Sequence, residues 1–239
     1  MGRHGTIANR KSAQDSKRAA MFTKYSRQII VAAKAGGDPE FNPSLRVAID
    51  KAKAIGMPND NINRAIKKGT GELGGESYEE LQFEGYGPNG VAIIVEALTD
   101  NKNRTASFVR SIFDKNGGNL GTPGCVSYMF SRQGVIVIDS EGLDEDEVMM
   151  TALDAGADDM IVNEDNFEIR TSPTAFNDVH KAMQDAGYEL FEAEVEQIPS
   201  IEASVDDDSV IKSLTKLITS LEDNDDVQKV YFNCDIDLD

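Results

Sequence analysis

The chain has 239 residues, 40% of them hydrophobic, and a formal net charge of -18. This length supports one large domain or two to three small ones with buried cores, which excludes disorder as the default interpretation. No apolar run approaches the roughly 20 residues that a membrane span needs, and polar sequence follows Arg3 and His4 where a signal segment would be apolar. We therefore expect a cytoplasmic protein with no membrane partner.

Few residues could supply catalysis or metal binding. Cys125 and Cys234 lie far apart in sequence, and the histidines are His4 and His180. Separated thiols and imidazoles provide neither a zinc ligand set nor a nucleophile beside its base. The sequence therefore predicts a non-enzymatic protein with no metal, no cofactor and no small-molecule substrate.

Charge is divided unevenly along the chain. Residues 1–71 contain 14 basic and 5 acidic residues, a net charge of +9, whereas the remaining residues contain 10 basic and 37 acidic residues, a net charge of -27. An acidic protein ordinarily repels phosphate. However, the Debye length is about 8 Å at physiological salt, so a basic part held farther than this from the acidic part keeps its own field.

Residues 1–75 are predicted to form an all-α domain. Apolar residues recur at helical spacing in three segments, each bounded by capping or helix-breaking residues. The first runs from Ile7 to Gly36-Gly37-Asp38-Pro39, the second opens at Asn42-Pro43, and the third runs from Pro58 to Gly69. The pattern Gly69-Thr70-Gly71-Glu72-Leu73-Gly74 resembles a dinucleotide loop but follows a helix, so it is interpreted as part of a linker.

The central domain is predicted from residues 76–132 and 200–239. Alternating apolar residues around Phe83 and the run Val91–Val95 indicate a hairpin, a helix follows, and Val126–Phe130 is predicted to return as a strand. Near the C-terminus an amphipathic helix precedes a strand at 227–232, and neither can bury its apolar face alone. We expect this pair to complete the sheet that begins near residue 78.

The third predicted domain is an insert, residues 133–199. Its periodicities give the order βαββαβ, the ferredoxin-like split motif. The predicted fold class is therefore α+β, with an N-terminal all-α helical domain followed by two α/β domains, of which the ferredoxin-like unit is the last. The acidic run Glu222-Asp223-Asn224-Asp225-Asp226 lacks the glycine and distal glutamate of a calcium loop and is interpreted as a solvated turn.

The basic residues of the helical domain are the candidate nucleic-acid ligands. Lysine and arginine pair with phosphates and position a protein on a duplex, with polar side chains as secondary contacts. A solvated face and an acidic protein partner are the alternatives. The candidates are Arg3, His4, Arg10, Lys11, Lys17, Arg18, Lys24, Arg27, Lys34, Lys67 and Lys68.

A second candidate surface lies on the glycine- and asparagine-rich loops of the central domain. Glycine allows close backbone approach, and asparagine and arginine offer directional donors. Asn103, Arg104 and Asn119 are the proposed secondary contacts. The same residue types are typical of turns, and Asp100 or Asn101 is a natural helix N-cap, so a purely structural role is the alternative.

Several ordered segments resemble one known family. They are residues 8–20 (ANRKSAQDSKRAA), 33–72, 84–105 (EGYGPNGVAIIVEALTDNKNRT), 115–130 (KNGGNLGTPGCVSYMF) and 222–231. By these segments the chain resembles the YebC/PmpR family. The family usually opens with a Gly-His-Ser-Lys-Trp-Ala-Asn-like stretch, whereas this chain reads Gly5-Thr6-Ile7-Ala8-Asn9 and has no tryptophan.

The resemblance implies a three-domain, non-catalytic, cytoplasmic protein. Family members are described as DNA-binding transcriptional regulators, mitochondrial relatives as translational activators, and bacterial members are also linked to stalled ribosomes. The expected partner is therefore DNA, with ribosomal RNA in the ribosome as the alternative. Since the sequence shows no zipper or other palindromic-dimer device, we expect a monomer.

Overall fold

The computed structural model describes the backbone of residues 7–74 and 77–236, and the side chains from Ala19 onward within those ranges. These residues form seven α-helices and eight β-strands in two antiparallel sheets, an α+β protein. By its contacts the chain divides into two compact units: Met1–Val126 with Ala203–Asp239, and Ser127–Glu202. No helix in the described ranges is long and apolar enough to cross a membrane.

Three helices form one layer of the first unit: α1 (Ile7–Ala33), α2 (Pro43–Ala54) and α3 (Asn59–Gly69). Asn42 is the N-cap of α2, because its side-chain oxygen accepts from the backbone N–H of Leu45 at 3.1 Å, and Pro43 occupies the first turn. The buried core includes Ile29, Ala52 and Ile62. The three predicted helices are confirmed.

The first sheet belongs to the same unit. Its strands are β1 (Glu79–Tyr86), β2 (Ala92–Thr99), β3 (Asn119–Leu120) and β8 (Val227–Phe232), in the order β3-β1-β2-β8. β1 and β2 form the expected antiparallel hairpin, and β8 pairs with β2. Helices α4 (Lys102–Lys115) and α7 (Asp208–Glu222) supply Phe113, Leu214 and Leu217 to the core over this sheet.

The strand predicted at Val126–Phe130 is wrong. Ser127–Met129 forms a short 3-10 turn, and β3 is the strand that lies beside β1. The buried carboxylate of Glu84 accepts the backbone N–H groups of Gly124 and Val126, each at 3.0 Å. These amides are therefore satisfied by a side chain within a loop and not by a neighbouring strand.

The second unit has the predicted order of elements. They are β4 (Phe130–Asp139), α5 (Glu145–Asp154), β5 (Asp159–Val162), β6 (Asn166–Thr171), α6 (Phe176–Asp185) and β7 (Leu190–Pro199). The sheet order is β5-β6-β4-β7, and all pairs are antiparallel. Ile136, Ile169 and Met183 are fully buried in this unit.

Candidate nucleic-acid interface

The end of α3 lies very close to α1 at Gly69. A Cβ atom at this position would be 2.5 Å from the carbonyl oxygen of Ile30 and 2.6 Å from the Cβ of Ala33. Only glycine therefore allows this approach, which buries Ile62 and Ala65. The packing fixes which side of α3 faces the core.

The opposite side of α3 is polar and exposed. Asn59, Asn63, Arg64 and Lys67 are all exposed. Their spacing places Asn63, Arg64 and Lys67 within one turn of each other. Four residues, Ile55–Pro58, connect α2 to α3, and Gly56 adopts a φ of 75° in this turn.

Two of the predicted ligands on α1 are instead bound within the protein. Lys24 donates through its Nζ to the backbone carbonyl of Glu222 at 2.7 Å. Arg27 donates through its Nη1 to the carboxylate of Asp226 at 2.7 Å, and also to the carbonyls of Leu98 and Asp225. The second half of α1 is thereby attached to the segment between α7 and β8.

Asp226 is the centre of this polar cluster, with a side chain only 6% exposed. Beyond Arg27, it accepts from Arg104 Nη2 at 2.8 Å and from the hydroxyls of Thr105 at 2.7 Å and Thr99 at 3.2 Å. Two guanidinium groups and two hydroxyl groups satisfy one buried carboxylate. The interpretation of residues 222–226 as a solvated turn is therefore wrong for Asp226.

The same contacts keep Asp226 ionised. Burial raises the pKa of its carboxyl, but hydrogen bonds from Arg104, Thr105 and Arg27 outweigh burial, so the pKa lies below its ordinary value. This is the expected result when several donors stabilise the charged form. The negative charge is thus a permanent part of the cluster at neutral pH.

At Lys24 burial has the larger effect. Burial lowers the pKa of the Lys24 ammonium more than the nearby carboxylates of Glu222 and Asp225 raise it. Burial also has the largest effect at Glu222, where it raises the pKa of the carboxyl. For both residues, desolvation has a larger effect on the pKa than the attraction between the opposite charges. This agrees with the hydrogen bond of Lys24, which goes to the backbone carbonyl of Glu222 and not to its carboxylate.

The remaining predicted cations divide by position. Lys34 is exposed, and its Nζ donates to the backbone carbonyl of Tyr78 at 2.7 Å. Lys67 is exposed and Lys68 is half-buried, both in the last turn of α3, where positive charge suits the helix dipole. Lys67 is thus the candidate that lies exposed on the polar side of α3.

Six candidates lie where the structure gives no side-chain information. Arg10, Lys11, Lys17 and Arg18 belong to the α1 backbone, whose side chains before Ala19 are outside the described residues. Arg3 and His4 lie outside the described residues altogether. Their role in binding stays a prediction.

The placement of the secondary contacts in loops is wrong. Asn103 and Arg104 lie in the first turn of α4, which Asn101 caps by accepting from the backbone N–H of Arg104 at 3.1 Å, and Asn119 lies in β3. The Arg104 side chain also pairs with Asp100 at 2.7 Å. Asn103 and Asn119 are exposed, whereas the guanidinium of Arg104 belongs to the Asp226 cluster.

Sequence reasoning missed Asp226 as an organising residue, and also missed the exposed side of α3. The periodicity of α3 could have indicated the latter, because Ile62, Ala65 and Ile66 assign Asn63 and Arg64 to the polar side. No local pattern identifies Asp226 among its acidic neighbours. In the described part of the chain, no group of three histidine, cysteine, aspartate or glutamate residues could hold a metal ion.

The fold and this surface define an α+β protein that joins a basic helical layer to an antiparallel sheet and carries a second, βαββαβ unit. Residues 3–72 match the family described as the TACO1/YebC protein N-terminal domain, and residues 78–234 match the TACO1/YebC second and third domain. The chain belongs to the TACO1/YebC family.

Similar proteins from several bacteria carry regulatory names. A probable transcriptional regulatory protein of Clostridioides difficile is 54% identical over 99% of this chain and 100% of its own length. Proteins with the same description from Listeria monocytogenes and Persephonella marina are each 53% identical, over 96% and 95% of this chain and 96% and 92% of their own lengths, respectively.

A solved structure has the same fold. The crystal structure of a conserved hypothetical protein from Aquifex aeolicus matches with a TM-score of 0.82 and 44% sequence identity. The match covers 93% of this chain and 92% of the Aquifex chain. It therefore extends over both compact units.

Proposed function

We propose that this protein is a non-enzymatic, DNA-binding regulator of transcription, and that its helical layer contacts the nucleic acid. The relatives described above are named probable transcriptional regulatory proteins, which supports a regulatory role. The net charge of +9 in residues 1–71 supports a polyanionic partner.

The exposed polar side of α3 is the observation that carries the proposal. Asparagine reads adenine edges in the major groove, and arginine and lysine pair with phosphate. Asn63, Arg64 and Lys67 present these groups together on a helix that Gly69 packs tightly against α1. The four-residue turn between α2 and α3 also has the length found in helix-turn-helix motifs.

The start of the chain is the proposed second contact. Residues 1–18 contain five basic residues and one acidic residue. Lys24 and Arg27 make intramolecular contacts with Glu222 and Asp226. We therefore assign phosphate binding to Arg3, Arg10, Lys11, Lys17 and Arg18, together with Arg64 and Lys67, and assign Lys24 and Arg27 a structural role.

Charge reversal on α3 tests the proposal. The double variant Arg64→Glu/Lys67→Glu is compared with the wild type in fluorescence anisotropy titrations with duplex DNA at several salt concentrations. If both cations contact phosphate, the slope of log K against log salt falls by about 0.9 for each lost contact. Unchanged affinity and slope would contradict the assignment of α3.

The matched control is Lys212→Glu/Lys216→Glu on α7. These two lysines are also exposed, and the substitution changes the net charge by the same amount. DNA affinity should be nearly unchanged, because α7 is not part of the proposed surface. An equal loss in both variants would show that only net charge matters.

A sedimentation assay separates DNA from the ribosome as partner. Purified ribosomes are pelleted with wild type, with the α3 variant and with the α7 control. If the α3 variant loses ribosome binding while the wild type binds duplex DNA no better than the α3 variant does, the protein acts in translation and the transcription proposal is wrong. Loss of DNA binding with ribosome association unaffected supports transcription.

A further inference from the structure

Phe41 has the most exposed large hydrophobic side chain in the described part of the chain, with 84% of its surface exposed. It lies in the segment between α1 and α2, directly before Asn42, the N-cap of α2. The ring therefore contributes little to the core of the helical layer. Single exposed apolar residues are common on protein surfaces, so its function depends on how and where the ring is held.

The backbone on both sides of Phe41 is held by side-chain hydrogen bonds. Before it, Arg46 donates through its Nε to the carbonyl of Pro39 and through its Nη2 to the carbonyl of Glu40, each at 3.1 Å. After it, Asn42 donates through its Nδ2 to two backbone carbonyls, one in the last turn of α1 and one just beyond that helix, each at 2.8 Å. An exposed ring on a fixed backbone loses less conformational entropy when it binds.

The segment that contains Phe41 packs against the last turn of α3. A Cβ atom on Gly37 would be 2.7 Å from the Cγ2 of Thr70 and 3.4 Å from the Cγ2 of Ile66. Lys67, the exposed cation of that turn, directly follows Ile66. Phe41 therefore belongs to a segment that adjoins the end of the helix proposed to contact nucleic acid.

This segment is electrically neutral, unlike the rest of the helical layer. Residues 34–46 contain two basic and two acidic residues, so the net charge of +9 in residues 1–71 comes from outside them. A segment with no net charge adds little to the attraction of phosphates. To a polyanion held by the surrounding cations it offers instead an aromatic face, on which a base can stack.

We propose that Phe41 stacks on an unpaired or unstacked base of the nucleic acid that the helical layer binds. The inference rests on the proposed function, because the ring contributes no charge with which to attract the nucleic acid. An apolar pocket in a partner protein could also hold such a ring, but the positive field of the layer favours a polyanion. Stacking requires no particular sequence, since every base has a π-face.

Stacking on a base predicts a preference for distorted nucleic acid. In a fully paired duplex, a side chain inserts between base steps only after the bases have been unstacked, which costs free energy. A single-base bulge has already lost part of this stacking, so the same insertion costs less. The wild type should bind a bulged duplex about fivefold or more tightly than the fully paired duplex.

The first experiment measures the affinity of the full chain for these two duplexes by fluorescence anisotropy. Phe41→Ala should lose the preference for the bulged duplex. Because no charge changes, the slope of log K against log salt should stay that of the wild type, unlike the slope of Arg64→Glu/Lys67→Glu. The matched control Phe191→Ala removes another exposed phenylalanine, 66% exposed in the second unit, and should retain the preference.

The second experiment detects the stacking itself. The chain has no tryptophan, so Phe41→Trp introduces a single indole fluorophore and retains an aromatic ring at this position. Its emission should be quenched when the bulged duplex is added to saturation, because a base then stacks on the indole. Phe191→Trp provides the control and should show no comparable quenching.

Several results would overturn the proposal while the proposed function stands. They are equal affinity of the wild type for the two duplexes, an unchanged preference in Phe41→Ala, an equal loss in Phe191→Ala, and an emission of Phe41→Trp that the bound duplex does not alter. If the wild type binds neither duplex, the proposed function fails and this inference fails with it.

Discussion

Arg27 Nη1 lies 2.7 Å from Asp226 Oδ1, although 199 positions separate the two residues in the chain. Both side chains are largely buried, with exposed fractions of 12% and 6%. The ion pair joins the second half of α1 to the turn that precedes β8. A residue that sequence alone assigns to phosphate binding is thus used to hold the first unit together.

Removal of the Asp226 carboxylate should destabilise the protein strongly. In Asp226→Ala the guanidinium of Arg27 stays buried without its anionic partner, and the hydroxyl of Thr105 loses its acceptor at 2.7 Å. A loss of about 3 kcal/mol in the free energy of unfolding is expected for a broken buried pair. Urea denaturation at neutral pH measures it.

Asp225→Asn provides the control for that prediction. The side chain of Asp225 is exposed, and Arg27 contacts its backbone carbonyl, which the substitution retains. A change below about 1 kcal/mol is expected for such a surface position. Equal destabilisation by both substitutions would show that the turn, and not the Asp226 carboxylate, is what matters.

Acid should selectively remove the contribution of Asp226. Hydrogen bonds from Arg104, Thr105 and Arg27 lower its pKa in the folded state despite burial, which acts in the opposite direction. The ionised carboxylate therefore contributes its full stabilisation at pH values above the unfolded-state pKa of about 3.9. This contribution is lost as the pH falls from that value through the lower pKa of the folded state. The stability difference between wild type and Asp226→Asn should shrink between pH 5 and pH 2. A difference that stays constant over this range would contradict the lowered pKa.

A methyl group at Gly69 should loosen the helical layer. In Gly69→Ala the new Cβ would meet the carbonyl oxygen of Ile30 and the Cβ of Ala33. Overpacking of this kind costs about 1–3 kcal/mol, more than the gain in helix propensity of about 1 kcal/mol. Thermal unfolding followed by circular dichroism measures the loss. Asn63→Ala, at an exposed position of the same helix, should not lower the melting temperature.

Glu84 should control the order of the loop that follows β3. Its two carboxylate oxygens accept from Gly124 N and Val126 N. Glu84→Gln replaces one acceptor with a donor, so a backbone N–H loses its partner at a cost of about 1–3 kcal/mol. Amide hydrogen exchange at Gly124 or Val126 should accelerate. The exposed neighbour Glu80, changed to glutamine, should leave that exchange rate unaltered.

Local features of the fold follow from the sequence because their causes are local. Asn42-Pro43 starts α2 through a cap and a first-turn proline, and Gly69 ends α3. The hairpin of β1 and β2 can also be predicted from sequence, since the strands are adjacent in the chain and a turn segment separates them. In contrast, β3 has two residues, too few for any period to be detected.

The candidate site was only partly predictable for a related reason. Charge counting identifies the basic segment, but it gives Lys24, Arg27 and Lys67 equal weight. Their environments differ because the partners of Lys24 and Arg27, Glu222 and Asp226, lie about two hundred positions away. A contact between residues so far apart in the chain produces no periodic pattern in the sequence of either segment.

By itself, then, the sequence determined the division of charge, the helices of the basic layer and the βαββαβ order of the second unit. These depend on composition and on interactions within a few residues. The tertiary structure decided which cations remain exposed on α3, why Asp226 is ionised inside the protein, and that the segment containing Phe41 adjoins the end of α3. Those outcomes depend on desolvation and on contacts between elements, which exist only once distant segments pack together.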